Sequence, residues 1–103
     1  MTYAMELNKV GMDNEGFLLN PQDWTMELGQ ELAAQLGIDL SPTHWRLINF
    51  AREDYANQGQ SPGLRRMAQQ SGVTMKEIYQ LFPKGPGKLV AKIAGIPKPK
   101  SCI

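Results

Sequence analysis

Apolar residues alternate weakly along the first twenty positions and then settle into helical spacing for most of the chain. In residues 2–8, Tyr3, Met5 and Leu7 share one side. Asp13-Asn14-Glu15-Gly16 is a turn signal, with Gly16 suited to a positive φ, and Phe17-Leu18-Leu19 reads as a returning strand. The pattern predicts a short β-hairpin. It ends at Asn20-Pro21, because a residue before proline is pushed out of the helical region.

From there the spacing predicts five helices. In the first, Asp23 is the N-cap, Leu28, Leu32, Ala33 and Leu36 follow at helical intervals, and Gly37 stops it. Ser41-Pro42 opens the second, with proline in the first turn where its missing N–H costs nothing. Trp45, Ile48, Ala51, Arg52 and Tyr55 recur at threes and fours, and Leu47 and Phe50 widen that face, so this helix is central to the core. Ser61-Pro62 repeats the opening for a short third helix through Leu64, Met67 and Ala68. Thr74-x-x-Glu77 is a capping-box pattern for a fourth, whose stripe is Met75, Ile78, Tyr79 and Phe82. After Pro83 and Gly85-Pro86-Gly87, Leu89, Val90, Ile93 and Ala94 give a fifth helix, ended by Gly95.

Taken together, these elements predict a mainly α (α+β) protein. It is a small orthogonal bundle of about five helices with an N-terminal β-hairpin, a helix-turn-helix-like pair and a mobile C-terminal arm. Residues 1–95 form the one domain. Residues 96–103, with prolines at 97 and 99, cannot continue a helix and form the arm.

Composition narrows the function classes. At 103 residues and 42% apolar, the chain can fill one core. No apolar run approaches the ~18–20 residues of a membrane span. The N-terminus lacks a basic region followed by an apolar stretch, so no secretory signal is expected and the location is cytoplasmic. One cysteine, Cys102, and one histidine, His44, exclude an intramolecular disulfide, a Cys-based zinc site and a two-histidine metal site within one chain. No cofactor is expected.

The net charge of +1 conceals a division. Residues 1–83 carry 6 Lys and Arg against 10 Asp and Glu, whereas residues 84–103 carry Lys84, Lys88, Lys92, Lys98 and Lys100 and no acid. A basic tail on a mildly acidic body suits an acidic protein partner, a nucleic acid or plain solubility. Lys84, Lys88, Lys92, Lys98 and Lys100 are the candidate partner-binding residues.

Three features could carry chemistry. A cysteine usually behaves as a small buried apolar residue, and a Pro/Lys tail offers no core for Cys102 to enter. It is the candidate catalytic residue, a nucleophile able to take up a sulfur atom or another thiol. Lys98 and Lys100 favour its thiolate and the carboxylate of Ile103 opposes it, so a partner sets its reactivity. Fully extended, Pro97 to Cys102 spans about 20 Å, enough to enter a deep pocket of another protein. The pair of helices after Ser61 resembles a helix-turn-helix, with Arg65 and Arg66 for phosphates and Lys76, Glu77 and Gln80 facing out. A lysine balanced by a glutamate is a poor DNA reader. Gly85-Pro86-Gly87-Lys88 fails the phosphate-loop pattern and reads as the start of a helix. His44 reads as a surface or packing residue, and Asp13, Glu15, Glu53 and Asp54 as solvated acids. No group of residues forms a self-contained active site.

Residues 81–103 also resemble the C-terminal signature of the DsrC/TusE family of sulfur-relay proteins. The matching positions are Leu81-Phe82-Pro83, Gly85-Pro86, Lys88, Ala94-Gly95-Ile96-Pro97-Lys98-Pro99 and the penultimate Cys102. Asp13-x-Glu15-Gly16-Phe17-Leu18, Trp24 and Leu40-Ser41-Pro42-x-His44-Trp45 resemble the family's N-terminal half, so the likeness covers essentially the whole chain. It implies a helical fold with a hairpin and an arm, and a persulfide carried on Cys102. The chain would act as a sulfurtransferase-type carrier rather than a self-contained enzyme. DsrC proper has a second cysteine eleven residues before the penultimate one; Ala91 stands there, so this chain resembles the single-cysteine TusE branch. That branch implies a sulfur donor of TusBCD or DsrEFH type and an acceptor such as a tRNA 2-thiouridylase or a sulfur-pathway enzyme. Segment 69–74 is shorter than the family's usual loop before the Leu-Phe-Pro helix, which bears on the choice of partners. The alternative reading is a sulfur-responsive helix-turn-helix DNA-binding regulator.

Overall fold

The computed structural model describes residues 11–100. Five helices follow one another: α1 (Met26–Gln35), α2 (Pro42–Gln58), α3 (Leu64–Gln70), α4 (Met75–Leu81) and α5 (Pro86–Ala94). The hairpin's first strand, residues 2–8, lies outside the described residues. Its turn is present. Asp13 Oδ1 accepts from the N–H groups of Glu15 and Phe17 at 2.9 Å, Gly16 takes φ +90°, and Met12 bridges Leu18 in antiparallel sense.

α5 is the most apolar of the helices on its inner face, burying Val90, Ala91, Ile93 and Ala94. It lies chiefly against α2 and α1 and touches α4, while α3 pairs with α4 and reaches α2. Leu28, Leu32, Leu47, Ile48, Met67, Ile78 and Phe82 complete the core, and Phe17 and Leu18 of the hairpin close one side.

Several helix starts differ from the sequence expectation. Asp23 does not cap α1: Asn20 caps a 3-10 turn over Pro21–Asp23, and Thr25 then caps α1 by accepting from the Leu28 N–H at 3.1 Å. Both residues are competent caps two positions apart, and the Asn20-Pro21 turn uses up the first. Thr74 caps α4 through the Glu77 N–H, but Glu77 accepts from the Thr74 hydroxyl instead of returning to its backbone, so the box is incomplete. The full box is on α2, where His44 Nδ1 accepts from the Ser41 N–H at 3.0 Å.

That bond leaves the His44 proton on Nε2, which donates to the Leu81 carbonyl at 3.0 Å. His44 is buried, and its ring meets Phe82 edge-on with centroids 5.0 Å apart. It is a packing residue that ties the start of α2 to the end of α4. Trp45, beside it, is only half-buried. The α4 stripe is narrower than expected. Ile78 and Phe82 are buried, whereas Met75 and Tyr79 are exposed.

Candidate functional site

The site is built where α5 ends and the chain turns towards Cys102. A helix leaves its last four carbonyls without helical partners, and they must be satisfied by other groups. All four are satisfied here. Gly95 takes φ +70° and closes a Schellman turn, with Ile96 N–H donating to Ala91 O at 3.1 Å and Gly95 N–H to Lys92 O at 3.3 Å. Trp24 Nε1 donates to Ile93 O at 2.7 Å, and Arg52 Nη1 donates to Ala94 O at 2.7 Å.

Arg52 also donates to Pro21 O at 3.3 Å and stacks on the Trp24 ring, 4.3 Å from its centroid. A cation at a helix C-terminus lies at the negative end of the helix dipole. Burial pulls the Arg52 pKa below its ordinary value, yet the guanidinium remains charged because arginine starts so high. Trp24 is held between two glycines. A Cβ on Gly29 would lie 3.0 Å from Trp24 Cζ2, and one on Gly95 would lie 2.5 Å from Trp24 Cδ1.

The expectation of an arm free from Ile96 onward does not match the packing. Ile96 is 1% exposed and Pro99 is buried. Ser61 Oγ donates to the Pro97 carbonyl, and Lys98 Nζ pairs with Glu15 at 3.1 Å. The segment therefore lies against the body as far as Lys100. Composition suggested freedom because it counted prolines and lysines. It could not show that Ile96 completes the Schellman turn, that the Pro97 carbonyl takes a hydrogen bond from Ser61, or that Pro99 is buried.

The candidate residues are spread around this mount. Cys102 lies outside the described residues. Lys84 is exposed, at φ +69°, just before α5. Lys88 and Lys92 sit one turn apart on α5, and Lys92 Nζ lies 5.4 Å from the Phe17 ring centroid. Lys98 is paired with Glu15, and Lys100 borders a cavity of about 280 Å³ with Asp54, Ser61 and Arg66. Asp54 is not a solvated acid. It is buried and takes both Arg66 Nε and Nη2, at 2.8 and 2.7 Å. That pairing raises the Arg66 pKa, chiefly through the hydrogen bond. It also removes Arg66 from the phosphate-contacting role that a helix-turn-helix would need. Glu15, Trp24, Arg52 and Ser61 were not read as site residues. The one signal in the sequence was a cation, Arg52, on an otherwise apolar stripe.

Among the described residues, no group of three His, Cys, Asp or Glu could hold a metal ion, and no helix is long and apolar enough to cross a membrane. Residues 4–103 match the model of the family described as DsrC like protein. The chain belongs to the DsrC family. Relatives in the family carry two kinds of name. The gamma subunit of dissimilatory-type sulfite reductase from Nitratidesulfovibrio vulgaris is 41% identical, with 89% of each chain covered. The sulfurtransferase TusE of Yersinia pseudotuberculosis is 42% identical, covering 91% of this chain and 94% of the relative. The NMR structure of Allochromatium vinosum DsrC superposes with a TM-score of 0.80 at 34% identity, over 91% and 90% of the two chains. The mainly helical DsrC fold is therefore common to both, and nothing among these relatives favours the DNA-binding alternative.

Proposed function

We propose that this DsrC-family protein is a cytoplasmic sulfur carrier that holds sulfane sulfur as a persulfide on Cys102. The observation that carries the reading is the placement of the chain's only thiol, two residues beyond a segment that the body grips at Pro97 and Lys98. Family relatives named as sulfurtransferases support it. Residues 1–95 act as the body and 96–103 as the delivering segment.

The transfer balances without an external oxidant or reductant. The Cys102 thiolate attacks the outer sulfur of a donor persulfide. A bond forms between Cys102 Sγ and that sulfur, the donor S–S bond breaks, and the donor leaves as a thiolate. An acceptor thiolate then attacks the same outer sulfur and releases Cys102. The donor is a TusBCD- or DsrEFH-like protein and the acceptor a tRNA thiouridylase or a sulfur-pathway enzyme. Lys84, Lys88 and Lys92 steer acidic partners towards the mount, and Lys98 and Lys100 precede the thiol in sequence. Ala91 stands where a second family cysteine would be, so no intramolecular disulfide forms in this cycle.

Incubated with a persulfide donor, the intact protein is expected to gain about 32 Da, one sulfur, lost again on adding dithiothreitol. A protein that never gains this mass, with its thiol shown free by alkylation, sinks the carrier reading.

A further inference from the structure

Ser61 reads in the sequence as a helix cap, and in the structure it caps nothing. Gly63 is the N-cap of α3 and lends no side chain to it. Ser61 is 8% exposed, and its hydroxyl donates instead to the Pro97 carbonyl, 36 residues away. A buried hydroxyl needs a partner, and this one has been given to the segment that leads to Cys102. The partner is well chosen. Pro97 and Pro99 have no N–H and fixed φ, so the segment is stiff and is gripped mainly through its carbonyls and side chains. Glu15 also holds Lys98, but both side chains are part-exposed, so salt screens that contact. Ser61 is the sheltered anchor of the two.

We propose that Ser61 is a positioning residue for sulfur delivery: its hydrogen bond to the Pro97 carbonyl holds residues 97–100 on the body and so fixes where the chain leaves it towards Cys102. This rests on the carrier reading, because direction matters only if the thiol must enter a partner. With the chain held on the body as far as Lys100, only two residue steps separate it from Cys102; loosened at Pro97 there are five, so the thiol's range more than doubles. Partner pockets tolerate little such displacement.

The test measures direction without a partner. Nitroxide labels go on Cys102 and on an introduced Asn49→Cys, an exposed position on α2. Double electron–electron resonance then gives the distribution of distances between them. In Ser61→Ala the distribution is expected to broaden roughly twofold, since losing one hydrogen bond raises the released population by about tenfold. Ser61→Thr, which keeps the hydroxyl, should restore the parent distribution. If alanine leaves too large a void, Ser61→Thr against Ser61→Val, alike in shape, makes the same comparison. A distribution as narrow in Ser61→Ala or Ser61→Val as in the parent overturns the proposal. Uptake of sulfur from inorganic polysulfide, read as added mass on the unlabelled variants, stays at the parent rate because a small donor needs no direction. Failure of uptake in the parent would instead sink the carrier reading, so the two failures are separable.

Discussion

Cys102→Ser is expected to take up no sulfur under conditions where the parent protein gains one atom. The argument is chemical. Attack on a persulfide needs a soft anionic nucleophile, and a thiol with an ordinary pKa near ~8.5 is a few per cent thiolate at neutral pH. A serine hydroxyl is essentially never ionised there. The chain has no other cysteine to substitute, and its six methionines are thioethers with no proton to lose and no persulfide to form. The loss should therefore be complete rather than partial. Under oxidation the parent should form only intermolecular dimers through Cys102, and the variant none, on a non-reducing gel. A serine variant that loads like the parent would place sulfur binding elsewhere and end the carrier reading for Cys102.

Gly95→Ala is expected to cost about 3 kcal/mol of stability. The φ of +70° at this position puts a Cβ in the left-handed region, a penalty of about 1 kcal/mol. The new methyl would also lie 2.5 Å from Trp24 Cδ1 and 2.9 Å from Trp24 Cβ and Cγ. Trp24 cannot easily retreat, since Gly29 closes the other side of the ring and its indole N–H is bonded to Ile93 O. Overpacking of this kind adds about 2 kcal/mol. For a domain of this size the sum lowers Tm by roughly 15 °C. In a Trp24→Gly background, which removes the Cβ as well as the ring, the clash is gone, and Gly95→Ala should cost only about 1 kcal/mol, the backbone part. Equal costs in the two backgrounds would show that Trp24 and Gly95 do not meet as described.

Helices α2, α4 and α5 were legible because their ends are written in local chemistry. Ser41-Pro42, Thr74, Pro86 and Gly95 all mark boundaries that the structure keeps. The misplaced start of α1 is also a local matter, a choice between two good caps. What could not be read were pairings between distant residues. Asp54 with Arg66, Arg52 with Ala94, and Ser61 with Pro97 are separated by 12, 42 and 36 residues. Composition treats each as an ordinary surface group, and only the fold makes them partners. Met75 and Tyr79 failed in the other direction. Their spacing fits an apolar stripe, but α4 is seven residues long and lies on the core with one edge, leaving both side chains in solvent. The family signature around Leu81 to Cys102 was visible as residues, whereas the reason for Trp24 in the N-terminal half appeared only when it was found on the last turn of α5.

The docked course of the chain as far as Lys100 has a consequence for how a partner must approach. Two residue steps separate Lys100 from Cys102, at most about 7 Å of chain, so the thiol is on a short leash. On the carrier reading proposed above, a partner that collects the sulfur meets the body around that leash before it reaches the thiol. Once seated, its own cysteine searches a volume of molecular size, and transfer becomes an intramolecular event governed by effective concentration. Selectivity among competing thiols in the cell then belongs to the shape of the docking face. Free glutathione, abundant but unable to dock, gains none of that advantage.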